Sequence, residues 1–193
     1  MARGAWLAYA RIAEIGTPAL VATRAQLSAA DRARYKRFAT PRRRRDFLAG
    51  RWLVRSSQSA WNGKGAGASI SHSGGWVACA LLERGVPGVD IEPMVARDFL
   101  KLGAWAFPAN DREPWAPAAD LRKAFYGRWT RYEARLKAAK NSAYGERTWF
   151  VDGVALSARL PRKVLLEGGG PQCWRQRGGF APAKLKAGNF ERR

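Results

Sequence analysis

The stretch from Ser69 to Glu92 constrains this chain more than any other part of it. It reads Ser69-Ile70-Ser71-His72-Ser73-Gly74-Gly75, then Trp76-Val77-Ala78-Cys79-Ala80-Leu81-Leu82, a turn, and Gly88-Val89-Asp90-Ile91-Glu92. The pattern is strand, polar turn, buried strand, tight turn, strand. Trp76 to Leu82 is a continuous apolar run bounded by turn residues, as in a strand covered on both faces. Glu83 to Gly88 supplies the reversal, with two glycines and Pro87 as punctuation. Side chains alternate along the last strand, so Val89 and Ile91 point one way and Asp90 and Glu92 the other. The two carboxylates then share one face about 7 Å apart, close enough to serve one ion.

That acidic pair stands out against the charge of the whole chain. Thirty-five Lys and Arg face 15 Asp and Glu, a formal net charge of +20. Such a field attracts polyanions: nucleic acid, phosphorylated small molecules or an acidic protein. Apolar residues make up 47% of 193, with nine Trp, enough for a real core in one large domain or two small packed halves. Cys79 lies in an apolar strand and Cys173 in a Gly-rich tail, so no disulfide and a reducing compartment are expected. The first twenty residues lack a signal-peptide core and no run reaches membrane-spanning length. The expectation is a cytoplasmic protein without membrane contact.

In chain order, Trp6–Ala10 and Ala19–Val21 read as strand pieces around Gly16-Thr17-Pro18. Ser28 is the expected N-cap of a first helix, with Asp31 at capping-box spacing. Thr40-Pro41 starts a second, from Arg42 to about Ser59, whose apolar positions Phe47, Leu48, Trp52 and Leu53 follow the helical period. Asn62 to Gly67 is a loop. Beyond Pro93, Phe99–Trp105 predicts a short helix and 107–114 a loop. Asp120 to Lys140 predicts a long helix with Ala124, Phe125, Trp129, Tyr132, Leu136 and Ala139 as its apolar stripe and Glu133 and Lys137 one turn apart beside it. Thr148–Val151 and Val154–Leu156 predict a hairpin across Asp152-Gly153. Residues 168–193, rich in Gly, Arg and Lys, predict a loosely held or disordered tail.

The chemistry-bearing residues each have two readings. His72, the only histidine, can donate with its flanking hydroxyls to a phosphate beside the N–H groups of Gly74-Gly75, or simply be satisfied in a turn. Asp90 and Glu92 are either solvated strand residues or, with Glu133, oxygen ligands of the kind magnesium takes. Glu133 and Lys137 are either part of that site or a surface pair. Arg42-Arg43-Arg44-Arg45, opposite an apolar helix face, forms a cationic ridge. No Gly-x-Ser-x-Gly elbow supports a hydrolase, and one His with two distant Cys does not make a zinc site.

Together these pieces resemble the 4′-phosphopantetheinyl transferases of the larger, surfactin-synthetase-activating type. That family's pattern is Ser-His-Ser, an apolar strand, Gly-(Val/Ile)-Asp-(Ile/Leu)-Glu and a later Trp-(Ser/Thr)-x-Lys-Glu-Ala-x-x-Lys. Here it stands as Ser71-His72-Ser73, Gly88-Val89-Asp90-Ile91-Glu92 and Trp129-Thr130-Arg131-Tyr132-Glu133-Ala134-Arg135-Leu136-Lys137. Phe47 to Arg55 also looks like the family's first-half helix, and the resemblance covers residues 28–155.

The resemblance implies an α+β fold of two similar halves related by a pseudo-twofold, with the active site in the cleft between them. Residues 1–88 are the expected nucleotide side, 89–167 the metal and catalytic half, and 168–193 the tail. The implied enzyme is a holo-acyl-carrier-protein synthase. It moves phosphopantetheine from coenzyme A to a serine of an acyl or peptidyl carrier protein and releases 3′,5′-ADP. Asp90, Glu92 and Glu133 match the magnesium ligands. Glu133, or a water it holds, matches the base, and Lys137 matches the residue that assists the leaving group. Ser71 and His72 match contacts to the 3′-phosphate, Arg34 and Arg51 match coenzyme A phosphate positions, and Lys64 is a looser candidate for the nucleotide. A single chain carrying both halves implies a monomer, and a basic surface suits an acidic carrier.

The chain departs from the pattern at three places. Tyr132 stands where the family has Lys, the Gly-Lys-Pro segment before Ser-His-Ser is absent or shrunk to Asn62-Gly63-Lys64-Gly65, and Asn141 to Gly145 replaces Gly-Lys-Gly. Two other readings remain at this level: a basic nucleic-acid-binding protein, and a degenerate transferase that binds coenzyme A or carrier without turnover.

Overall fold

The computed structural model describes residues 4–61, 67–107, 120–140, 143–163, 165–166, 170–174 and 182–183. Among them the chain is mixed α/β, with five α-helices and two sheets. The first strand, β1 (Gly4–Arg11), is followed by a 3-10 turn, then by helices α1 (Thr17–Ala25), α2 (Ala29–Lys36) and α3 (Pro41–Ala60). Strands β2 (Gly67–Ser73), β3 (Trp76–Leu82) and β4 (Gly88–Pro93) match the three runs read above. Next come α4 (Phe99–Ala106), α5 (Leu121–Lys137), and the hairpin of β5 (Tyr144–Val151) and β6 (Val154–Pro161). Three short strands follow: β7 (Leu165–Leu166), β8 (Gln172–Trp174) and β9 (Pro182–Ala183).

Local chemistry accounts for the helix starts. Ser28 Oγ accepts from the Asp31 N–H at 3.1 Å and Thr40 Oγ1 from the Arg43 N–H at 3.2 Å, each relieving one orphan donor of a first turn. Asp98 and Asp120 cap α4 and α5 in the same way. Two expectations need correction here. Ala19-Leu20-Val21 is helical, not a strand piece: Pro18 sits in the first turn of α1, where its missing N–H costs nothing, and three alanines favour the helix. The apolar stripe of α5 is also displaced. Leu136 is 63% exposed; Phe125 of the stripe is buried, but so are Tyr126, Gly127, Thr130 and Ala134, the last three small enough to let the helix lie close to the strands beneath it. Phe125, Trp129 and Tyr132 form an aromatic group with Phe99 and Phe107.

The sheets divide the chain differently from its order. One sheet runs β2-β3-β1-β8-β9, with β7 also on β1; the other runs β4-β6-β5. The turn after β3 therefore does not bring β4 back beside β3. β4 crosses to the second sheet, antiparallel to β6, with Asp90 opposite Ser157 and Glu92 opposite Ala155. Val89 and Ile91 join Ala5, Leu7, Tyr9, Ala78, Ala80 and Leu82 in one core, so the two sheets pack on each other. The opposite face of the first sheet, with Trp6, Ala8, Val77, Cys79 and Leu81, is covered by α1 and α3. Covering on both sides explains why every residue of β3 is buried. The β5–β6 hairpin forms as expected, with Asp152 at φ 50° and Gly153 at φ 78°, the left-handed pair of a two-residue turn.

The C-terminal segment corrects a third expectation. β8 lies parallel to β1, Gln172 and Cys173 are buried, and Tyr9 and Cys173 both donate to Asp152 Oδ2, at 3.0 and 3.8 Å. Residues 170–174 of the expected tail are thus held into the first sheet, and β7 also pairs with β1. Neither cysteine forms a disulfide, and burial pushes the thiol of Cys79 up to about 12. No helix among the described residues is long and apolar enough to cross a membrane.

One close approach positions everything that follows. A Cβ at Gly88 would lie 1.8 Å from the Ala134 carbonyl oxygen and 3.0 Å from the Ala138 Cβ, so only glycine lets α5 pack against the start of β4. We expect Gly88→Ala to cost about 1–3 kcal/mol or more by overpacking, while Gly170→Ala, with open space around it, stays near wild type; urea unfolding checks both.

Glu146 ties α5 to the second sheet. Its Oε1 accepts from Arg135 at 3.1 Å and from Arg159. Burial pushes its carboxyl up, but the two guanidiniums outweigh burial and hold it below the usual glutamate range. A depressed acid stabilises the fold above its unfolded value of about 4.3 and loses that contribution as pH falls through the lower folded value. Glu146→Gln is therefore expected to lower thermal stability at neutral pH, with the deficit vanishing in acid.

Candidate functional site

The sequence could not say whether α5 lies beside β4. It does, and the contact brings residues from three motifs together. Lys137 Nζ, in the last turn of α5, donates to Asp90 Oδ1 at 2.6 Å, to the Val89 carbonyl at 3.3 Å and to Ser71 Oγ at 3.3 Å. Ser71 Oγ donates to the same Asp90 Oδ1 at 2.7 Å, and Ser73 Oγ donates to Glu92 Oε2 at 2.6 Å. Ser69 completes the series by accepting from the Val89 N–H at 3.2 Å. Three hydroxyls at alternate positions of β2 thus reach β4, which is hydrogen-bonded through its backbone to β6 rather than to β2.

Beneath the site runs a buried chain of hydroxyls. Thr130 Oγ1 gives its proton to the Tyr126 carbonyl at 2.8 Å or shares it with Ser157 Oγ at 2.7 Å, and Ser157 in turn meets Thr148 Oγ1 at 2.8 Å. Ser157 is the cross-strand neighbour of Asp90 and both are buried, so the carboxylate has a polar but dry floor.

Burial dominates the electrostatics. Asp90 is only 3% exposed, and its carboxyl is raised above the usual aspartate range because burial outweighs the Lys137 ammonium and the Ser71 hydroxyl. Glu92 is raised as well: burial is the main cause, opposed by the Ser73 hydroxyl, with the neighbouring charges of Asp90 and Glu133 pushing the same way as burial. Glu133 therefore lies within electrostatic reach of Glu92. Asp90 Oδ2 is buried and accepts no hydrogen bond. An orphaned acceptor of this kind is costly, and a cation is the natural means of satisfying it.

Among the described residues no three His, Cys, Asp or Glu side chains stand close enough to form a ready-made metal cage. The donor set nonetheless fits a hard divalent cation that keeps several waters: Asp90, Glu92 and Glu133 offer only oxygens, and one of these is left bare.

The other expected contacts lie apart from this cluster. His72 is exposed and, by strand alternation, on the face of β2 opposite Ser71 and Ser73. That face carries Ile70, which packs against Gly50 of α3. Arg51, next along α3, is held by Asp31 at 2.7 and 2.9 Å and lies over the Phe47 ring at 4.8 Å; Arg34 lies over the same ring at 5.9 Å. Lys64 lies outside the described residues. The cationic ridge is partly structural, since Arg44 Nε donates to the Phe38 carbonyl at 2.9 Å and Arg45 to the Ile12 carbonyl at 3.3 Å. Sequence reasoning missed the roles of Ser69, Ser73, Thr130 and Ser157. The recurrence of serine at every second position, 69, 71 and 73, was the available signal for the first two.

No protein-family model matches this chain, and no curated protein matches it.

Because both β4 carboxyls are raised, their ionised forms cost stability in the metal-free protein, and the cost grows as pH rises from the unfolded value toward the folded one. Glu92→Gln is expected to raise the melting temperature at pH 7 in EDTA, with the gain disappearing below about pH 4; thermal scans across pH check it.

Proposed function

We infer that the protein is a 4′-phosphopantetheinyl transferase, which moves phosphopantetheine from coenzyme A to a serine of an acyl or peptidyl carrier protein. The observation that supports this reading best is the meeting of Asp90, Lys137 and Ser71 through hydrogen bonds of 2.6 to 3.3 Å. These residues are distant in sequence, and each belongs to a different motif of the resemblance. A surface reading of Lys137 would leave Asp90 buried with no counter-charge. The two sheets, each with its own helices, are compatible with two α+β halves related by a pseudo-twofold, with the site where β4 and α5 meet the edge of the first sheet.

The chemistry follows from the residue types. The serine hydroxyl of the carrier loses its proton to Glu133, or to a water that Glu133 holds, as its oxygen forms a bond to the β-phosphorus of coenzyme A. The P–O bond to the nucleotide's α-phosphate breaks, and the electron pair leaves with 3′,5′-ADP. Lys137 sits at the carboxylate cluster as a cation able to turn toward the leaving oxygens. Asp90, Glu92 and Glu133 are the residues that would hold a magnesium ion, which supplies charge neutralisation on the pyrophosphate. Arg34, Arg51 and exposed His72 are the groups proposed to meet the nucleotide phosphates. At the position where the family has a lysine, the Tyr132 ring stands beside that of Trp129, centroids 6.3 Å apart and tilted by 33°. A carrier protein acidic around its serine is drawn to a +20 surface, which makes the rate sensitive to salt. A single cytoplasmic chain acting as a monomer completes the proposal.

The deciding experiment is mass spectrometry of apo carrier proteins incubated with the protein, coenzyme A and magnesium. A gain of one phosphopantetheine, abolished by EDTA, is the expected result. Glu133→Gln is expected to lower the rate about 100- to 10,000-fold with the fold retained by circular dichroism. Coenzyme A binding without transfer to any carrier would replace this reading by that of a non-catalytic relative. Neither binding nor transfer would turn attention to the basic helices and nucleic acid.

A further inference from the structure

We propose that Ser71 and Ser73 are positioning residues that orient the β4 carboxylates toward a cation, and that this is the purpose of the hydroxyl series on β2. The inference deepens the metal-dependent reading above and rests on it.

Direction is the first support. A hydroxyl has one proton, and Ser71 Oγ already receives a hydrogen bond from Lys137 at 3.3 Å, so its own proton goes to Asp90 at 2.7 Å. Ser73 gives its proton to Glu92 in the same sense. Each serine thus engages its carboxylate as a donor, which favours the ionised form and fixes the rotation of the group.

The choice of oxygen is the second support. The two side-chain donors to Asp90, Ser71 and Lys137, converge on Oδ1, the backbone N–H of Ile91 also acts on the carboxylate, and Oδ2 is left buried without a well-formed hydrogen bond. Ser73 binds only Oε2 of Glu92. If the serines served merely to join two strands, nothing would require them to crowd one oxygen of a buried carboxylate and strand the other. Held on one side, each carboxylate presents its remaining oxygen in a defined direction, as hydrogen-bonded second neighbours do for metal ligands.

Placement is the third support. β2 pairs through its backbone with β3, and β4 with β6, so the side chains of Ser69, Ser71 and Ser73 are what join these two strands. Alternation sends His72 to the far face, which separates the roles within Ser-His-Ser: the serines serve the carboxylates and the histidine faces away from them.

The test is Mn2+ titration of the full-length protein, read by the loss of the free-ion electron paramagnetic resonance signal, with coenzyme A binding measured separately in EDTA. Ser73→Ala and Ser71→Ala are expected to weaken Mn2+ about 10- to 100-fold, the usual effect of removing a partner of a metal ligand. Coenzyme A binding in EDTA should not change in Ser73→Ala, and Ser73→Thr, which restores the hydroxyl, should recover most of the metal affinity. If Ser71→Ala does not fold, the half-exposed Ser73 pair decides alone. Wild-type Mn2+ affinity in folded alanine variants would overturn the inference while leaving the metal site standing. Loss of coenzyme A binding in Ser71→Ala with Mn2+ unaffected would overturn it in favour of a nucleotide contact. A wild-type protein that binds no Mn2+ would overturn both this inference and the metal-dependent reading.

Discussion

The contact between the start of β4 and the last turns of α5 is the constraint on which the rest of the arrangement depends. It exists because Gly88 has no side chain: the Ala134 carbonyl occupies the space where a Cβ would stand. From that point, strand alternation carries Asp90 and Glu92 to the side chains of α5 and β2, and helical spacing puts Lys137 one residue short of Ala138, which packs at the same spot. A similar contact works at the other end of β4, where Pro93 lies against Gly74, a residue at φ 52° in the β2–β3 turn. β4 is thus held at both ends, by α5 at Gly88 and by the β2–β3 turn at Pro93, and the serines of β2 reach it in between.

The cluster is built at an energetic disadvantage. Two carboxylates with raised pKa values and a third within reach lie in a chain of overwhelming positive charge, yet a single lysine is bonded to them, and one carboxylate oxygen has no partner. Elsewhere the chain satisfies its acids generously: Asp31 receives two nitrogens of Arg51, and Glu146 receives two arginines. Arginine was plentiful enough to neutralise Asp90 and Glu92 in the same way. That it was not used there is the feature that favours the proposed site over a structural ion pair.

Much of this was legible in the sequence, for physical reasons that differ by element. Capping chemistry at Ser28 and Thr40 is local, and both helices begin where those side chains predict. The Asp152-Gly153 hairpin is equally local, because only a few residue types tolerate the left-handed turn. The errors lie where packing overrides local pattern. Ala19 to Val21 looked like a strand piece because three apolar residues carry no period, and the proline and alanines around them decided for a helix. The stripe on α5 was read from its large apolar residues, of which Phe125 is buried and Leu136 is not, whereas Gly127, Thr130 and Ala134 are buried as well and owe their place to small size. The Gly-rich C-terminal segment looked loose by composition, yet β8 is held by β1 and by Asp152 of a distant turn.

The sequence by itself determined which faces Asp90, Glu92, Glu133 and Lys137 occupy, because alternation along β4 and the spacing of Glu133 and Lys137 on α5 follow from backbone geometry alone. It also determined the strongly positive field around them. Only the tertiary structure decided that those two elements share one site. It also decided that Ser71 and Ser73 turn to the carboxylates while His72 turns away, and that the chain after β6 returns to the first sheet. These are long-range choices, made by a glycine contact, a crossed strand and a buried core, and no local preference encodes them.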